Sequence, residues 1–169
     1  MTQTQVTRSR TFSWHDPTAS AALLGSRSGL EVLQAMIAGD IPPPPVMEMI
    51  GVDGFTAETG RATIRLTPRE FHYNPLGTVH GGVLATLLDT ATGCAVHSTL
   101  PAGVGYTSVD LTTKFLRQVT TDTGPLRCEG VVLSAGRRTA LAEARLTDGQ
   151  GKLLAHATST CMLFGTSER

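Results

Sequence analysis

Asp89 stands in the middle of the run Val83-Leu84-Ala85-Thr86-Leu87-Leu88-Asp89-Thr90-Ala91-Thr92-Gly93-Cys94-Ala95-Val96, whose other members are all apolar, small or threonine. Aspartate has mediocre helix propensity, and its charge is costly to bury without partners. A carboxylate kept in such a place can serve as a general base or as a nucleophile. Eight residues upstream lies Gly81, inside Asn74-Pro75-Leu76-Gly77-Thr78-Val79-His80-Gly81-Gly82. A helix beginning at His80-Gly81-Gly82 presents unpaired N–H groups at the positive end of its dipole, and glycine lets a substrate atom come close to that backbone. Such N–H groups can stabilise an oxyanion. The purely structural alternative is that Thr86, Thr92 or a neighbouring backbone group holds the Asp89 carboxylate and no chemistry happens there.

Asn-Pro and the glycines are turn signals, and the apolar run after them has helical rather than alternating character. Because nearly all of its residues are apolar or small, this helix must be covered on most faces and forms the centre of the domain. From Val46 a strand is expected, then a second over residues 60–67 with Ala62, Ile64 and Leu66 on one face. After the turn Leu100-Pro101-Ala102-Gly103, the residues Val109, Leu111, Thr113 and Phe115 alternate with Ser108, Asp110, Thr112 and Lys114 as one long half-buried strand. Three more strands, 126–135, 138–148 and 152–164, are joined by Gly136 and by Asp148-Gly149-Gln150-Gly151. One early helix and an antiparallel meander after it define an α+β fold, a curved sheet wrapped round the helix.

Upstream, residues 1–14 have a disordered composition, whereas Asp16-Pro17 ahead of Thr18-Ala19-Ser20-Ala21-Ala22-Leu23-Leu24 is a helix-start signal. A second short helix is expected at Leu30-Glu31-Val32-Leu33-Gln34-Ala35-Met36-Ile37, with Leu30, Leu33 and Ile37 on its apolar side. The prolines of Ile41-Pro42-Pro43-Pro44-Pro45-Val46 make a stiff extended connector. The chain therefore divides into an extension over 1–45 and a domain over 46–165.

A chain of 169 residues, 40% hydrophobic and formally neutral, has length for one well-cored domain. Neutrality speaks against nucleic acid as a partner. The first ten residues lack the apolar core of a signal peptide, and Asp89 interrupts the only long apolar run, so a soluble cytoplasmic protein without a membrane partner is expected. Cys94, Cys128 and Cys161 are widely spaced and read as small buried hydrophobes. The chain has no Gly-x-Ser-x-Gly, no phosphate-loop Gly-Lys-Ser/Thr and no His-Glu-x-x-His, and Gly103-Val104-Gly105 lacks a third glycine. Serine-hydrolase, nucleotide, zinc and nicotinamide chemistry are disfavoured, and neither a metal nor a cofactor is expected. His15, His97 and His156 read as surface or satisfied core histidines, and His72, though near the loop, carries no assignment. Arg137-Arg138, at a strand-connecting turn, either grips phosphates bidentately or is a solvated turn.

Asn74, the run Gly77-Thr78-Val79-His80-Gly81-Gly82, Asp89 and the later Gly105-Tyr106-Thr107-Ser108-Val109-Asp110-Leu111 together resemble the hotdog-fold acyl-CoA thioesterases of the phenylacetate-pathway (PaaI) type. The resemblance covers about residues 46–164. It implies a hotdog fold and hydrolysis of an acyl-CoA thioester, with Asp89 as the catalytic carboxylate and the Gly81 N–H polarising the thioester carbonyl. Asn74, His80 and Ser108 would position water or the loop, and Gly82, Thr90, Arg137 and Arg138 are the expected substrate and CoA contacts. Asp89 would either deprotonate a water or attack the carbonyl directly. The resemblance further implies a homodimer or a pair of dimers with sites at the subunit interface. A non-catalytic acyl-CoA sensor and an enoyl-CoA hydratase on the same fold are the two competing functions.

Overall fold

The computed structural model describes residues 6–18 and 25–165, which form a curled seven-stranded antiparallel sheet wrapped round one long helix. Helices α1 (Gly29–Ala38) and α2 (Pro45–Ile50) precede strands β1 (Gly54–Glu58) and β2 (Arg61–Leu66). The long helix α3 (Gly81–His97) follows, and then β3 (Val104–Ser108), β4 (Thr112–Phe115), β5 (Leu126–Ala135), β6 (Thr139–Thr147) and β7 (Leu153–Gly165). The strands run in the order β1-β2-β5-β6-β7-β3, with β4 also paired to β7, so β3 and β4 lie end to end along the last edge.

The core explains why α3 forms where it does. Leu84, Leu87, Leu88 and Ala91 of α3 pack against Ile64 and Leu66 of β2, Leu126 and Cys128 of β5, and the alanines Ala144, Ala155 and Ala157. Burying each leucine is worth about 1.5–3 kcal/mol, enough to offset the modest helix propensity of the threonines and glycines in the same segment. The alanines on the facing strands keep the sheet close. The approach is very close at Gly130 of β5, where a Cβ would lie 2.1 Å from the Ala91 carbonyl oxygen. The helix rests on bare backbone at that point.

The expected α+β architecture, the central helix and the strand meander are all present. Two expectations are corrected. The segment from Val46 is the helix α2, not a strand: Pro45 occupies its first turn, where a proline costs no hydrogen bond, and Gly51 closes it at φ 74°. The strand follows only at Gly54. Secondly, residues 108–115 are not one alternating strand. Ser108 pairs with Cys161 and Thr112 with Thr158, so Val109, Asp110 and Leu111 oppose only Ser159 and Thr160. That is a one-residue bulge. It leaves Val109 and Phe115 56% and 52% exposed along the free edge, where the even alternation predicted half-burial.

In the N-terminal part, Asp16 Oδ1 accepts the Thr18 N–H in the manner of a helix cap, while residues 1–5 and 19–24, including the rest of that expected helix, lie outside the described residues. Residues 6–14 carry no regular secondary structure. Helix α1 is closed at its start by a reciprocal Ser28–Glu31 capping box and buries Val32, Leu33 and Ala35. Ile37, expected on that face, is exposed instead. Pro44 is extended, as the proline run requires.

Candidate active site

The loop before α3 is tied by its own side chains. Asn74 takes the Leu76 N–H on Oδ1 at 2.9 Å and donates from Nδ2 to Thr78 Oγ1 at 2.9 Å, while its backbone N–H reaches the Thr78 carbonyl at 2.8 Å. This is the side-chain turn chemistry for which asparagine is suited. His72, unassigned from sequence, anchors the other side. Its Nδ1 accepts the Arg69 N–H at 2.9 Å, which leaves the proton on Nε2 to be donated to the Ile50 carbonyl at 2.8 Å. The His72 carbonyl then receives the His80 N–H at 2.8 Å. Burial holds the His72 imidazole below its ordinary range, which keeps it neutral in this role.

His80 is the N-cap of α3, its Nδ1 accepting the Gly82 N–H at 2.9 Å. A Cβ at Gly82 would sit 2.9 Å from that nitrogen, so the cap needs glycine there. The Gly81 N–H, at the first helical position, has no acceptor among the described residues. The ring of Phe115 closes over Gly81, 3.3 Å from where a Cβ would be. His80, Gly81 and Gly82 thus form one group at the helix start, and Asn74 ties the loop that leads into it.

Asp89 belongs to a second group, two turns down the same helix. Its Oδ1 accepts the Ser108 hydroxyl of β3 at 3.0 Å. Its other oxygen takes no hydrogen bond among the described residues. The threonines named as alternative holders are engaged elsewhere: Thr86 Oγ1 donates to the Gly82 carbonyl at 2.9 Å and Thr92 Oγ1 to the Leu88 and Asp89 carbonyls. Thr90 likewise donates to the Thr86 carbonyl at 2.6 Å. The carboxylate is therefore presented to an open groove of about 430 Å³ between Ala85, Thr86 and Asp89 of the helix and Ser108, Val109, Asp110 and Leu111 of the sheet edge.

Burial pushes the neighbouring Cys94 thiol up to about 12, with the Asp89 charge acting in the same direction. Burial raises the Tyr106 phenol and the Cys161 thiol as well. These three groups stay protonated at neutral pH and add no negative charge beneath the groove. Of the cysteines, Cys128 and Cys161 are buried and Cys94 half-buried. Arg137 and Arg138 are exposed at the β5–β6 turn. Ala140, Cys161 and Ser108 share one rung of the sheet, and Arg138 and Arg137 lie two and three residues beyond Ala140, which sets the turn about 12–14 Å from Ser108. His156 is paired with Glu143 at 3.2 Å. His97 departs from the satisfied-core expectation, since it is buried and its Nδ1 has no partner among the described residues. Among those residues no cluster of three His, Cys, Asp or Glu side chains could hold a metal ion, and no helix is long and apolar enough to cross a membrane.

Comparison with known proteins follows the same lines. Residues 76–155, which hold the loop, α3 and strands β3 to β6, match the family model of the thioesterase superfamily. A protein of Halobacterium salinarum described as a candidate esterase is 32% identical over 114 residues, covering 64% of this chain and 74% of its own. A solved phenylacetic acid degradation-related protein of Ralstonia eutropha, described as a candidate thioesterase, is 31% identical with a TM-score of 0.70, over 77% of this chain and 98% of that one. A Streptococcus mutans protein solved bound to acetyl CoA shares the fold at 24% identity and a TM-score of 0.60, over 67% of this chain and 90% of its own. The chain thus belongs to the thioesterase superfamily, with the hotdog fold and the PaaI type, and is a thioester hydrolase.

Proposed function

We propose that this hydrolase acts on acyl-CoA thioesters, with Asp89 as the reactive carboxylate and the Gly81 N–H as the oxyanion donor. The observation that carries the reading is the Ser108 hydroxyl at 3.0 Å from Asp89 Oδ1, which fixes the carboxylate toward the groove while leaving its second oxygen free to act. In the attack, charge builds on the thioester oxygen, and a preorganised backbone N–H is the kind of group that stabilises it. The departing thiol has a pKa of roughly 8.5 if it behaves like a cysteine, so it leaves as a thiolate without a dedicated acid. One carboxylate is sufficient for the site. Asp89 takes a proton from water, or attacks the carbonyl carbon to form an anhydride that water then opens. Asn74 and His80 serve this site by shaping the loop and the helix start. A CoA ligand is supported by the acetyl CoA held by the Streptococcus mutans relative of this fold.

Release of free thiol from a panel of acyl-CoAs, followed with DTNB, tests the reading. The wild-type protein is expected to turn over at least one of them, and Asp89→Asn to lose far more than tenfold in turnover while still binding the ester. Turnover within about tenfold of wild type in Asp89→Asn, about 1.4 kcal/mol in barrier, defeats the assignment. Binding without thiol release by the wild type would favour a sensor.

A further inference from the structure

We propose that Asp110 and Ser159 are positioning residues for this reaction, holding the one-residue bulge that turns the Ser108 hydroxyl onto Asp89. The inference rests on the reading of Asp89 as the reactive carboxylate. In an unbroken strand successive side chains alternate between faces, so Ser108 and Phe115, seven residues apart, would point to opposite sides of the sheet. Both point to the helix here: Ser108 reaches Asp89, and Phe115 lies against Gly81. The extra residue between Ser108 and Thr112 is what brings them to one side.

A bulge breaks the hydrogen-bond ladder, and the broken groups must be satisfied by something else. At this one, side chains do so reciprocally. The Thr160 N–H, left without a backbone acceptor, donates to Asp110 Oδ1 at 2.9 Å. The Asp110 carbonyl, left without a backbone donor, accepts the Ser159 hydroxyl at 2.8 Å. Ser159 is fully buried beneath the bulge, where a hydroxyl without a partner would be costly. The Val109 N–H keeps its ladder bond to the Thr160 carbonyl at 2.9 Å and so pins the residue next to Ser108. The same bulge residues form the sheet wall of the groove in front of Asp89. Asp110 is thus a second carboxylate beside the groove, but Oδ1 is committed to β7, and its role is to hold the wall.

The test is a double-mutant cycle read as kcat and KM in the thiol-release assay. Asp110→Ala is expected to lower kcat about tenfold with KM within about twofold, the pattern of a group felt mainly in the transition state. Asp110→Asn keeps a carbonyl acceptor for Thr160 and is expected to retain kcat within about threefold. In a Ser108→Ala background, Asp110→Ala should cost less than about twofold, because its effect passes through Ser108. Ser159→Ala should lower kcat in the same direction and lose its effect in the same background, and it carries the cycle if Asp110→Ala does not fold. Wild-type kcat in both Asp110→Ala and Ser159→Ala, equal losses with and without Ser108, or an Asp110→Asn variant as impaired as Asp110→Ala would each overturn the proposal. Asp89→Asn run alongside separates the two readings: an inactive Asp89→Asn with an additive cycle defeats the bulge alone, and an active one defeats the premise.

Discussion

A carboxylate in the middle of a buried helix is tolerated here because its surroundings are split. The flanking Leu88 is buried, whereas Asp89 itself looks out through the gap between the helix and the sheet edge, with one hydrogen bond from Ser108. His72 and His97 show the opposite solution, kept neutral by burial. Burial holds His97 below the ordinary imidazole value of 6.5, and it does the same to His72. A folded-state value below the unfolded one means that the unfolded chain binds more protons once the pH falls through 6.5. Stability from these groups is therefore complete above that pH and is lost as the pH falls toward their folded values. The melting temperature is expected to drop between pH 7.5 and 5. His97, whose Nδ1 has no partner among the described residues, should account for part of the drop, so His97→Leu should flatten the profile by up to about 1.4 kcal/mol per pH unit. Thermal melts of the two proteins across that range measure it, and identical slopes would assign the titration elsewhere.

At the scale of elements, helix α3 is held against the sheet at a point defined by one glycine. Gly130→Ala would put a methyl group 2.1 Å from the Ala91 carbonyl oxygen and 2.9 Å from the Thr92 nitrogen, both backbone atoms of α3 that cannot swing aside. The helix would have to lift, at a cost of about 2 kcal/mol or more and a fall in melting temperature of about 5 °C or more. An unchanged melting temperature would show slack between helix and sheet. The central helix and the strands β2, β5, β6 and β7 were legible in the sequence because each carries a periodicity its own residues complete: Ala62, Ile64 and Leu66 alternate, and Val83 to Val96 do not. Helix α2 was misread because Val46-Met47-Glu48-Met49-Ile50 is too short for either period to decide, and the deciding signals are Pro45 before it and Gly51 after it. The bulge could not be read at all. It exists only as a mismatch of count between residues 108–112 and 158–161, which are far apart in sequence. The same is true of Ser108 against Asp89, since the resemblance gave Ser108 only a part in positioning water or the loop, and of Phe115 against Gly81, which no local signal announced.

Over the whole molecule, one measurement concerns the distal part of the substrate. Arg137 and Arg138 stand exposed at the β5–β6 turn, two strands across from β3, and if the substrate is a CoA ester they are the guanidinium pair expected to meet its phosphates. Changing both to Ala is expected to raise KM for acyl-CoAs at least about fivefold with kcat little altered, because binding common to ground and transition states would be lost. An unchanged KM would return the pair to a solvated turn.

The arrangement of the two chemical groups also bears on assembly. Gly81 and Asp89 are eight residues apart on α3, about 12 Å along its axis at 1.5 Å per residue. If Gly81 and Asp89 act as proposed, the thioester oxygen must come within about 3 Å of the Gly81 N–H while its carbon lies beside the group that attacks from Asp89, which one chain of this geometry does not allow. The sheet ends beside the groove at β3 and β4, an edge with no partner strand among the described residues, and Val109, Phe115 and Leu116 are each at least half exposed along it. Unprotected edges of that kind invite pairing. We therefore expect a two-fold dimer in which Gly81, His80 and Asn74 of one copy face Asp89 and Ser108 of the other, giving two sites. A Gly81→Pro variant, lacking the N–H, and an Asp89→Ala variant should each be inactive alone. Mixed under conditions where subunits exchange, they form hybrid dimers in which one site inherits both lesions and the other inherits neither. With half of the dimers hybrid and one of their two sites intact, activity should recover to roughly a quarter of wild type. Exchange demonstrated by mass spectrometry without any recovery, or full activity from a species that sediments as a monomer, would place the whole site in one chain and refute the shared arrangement.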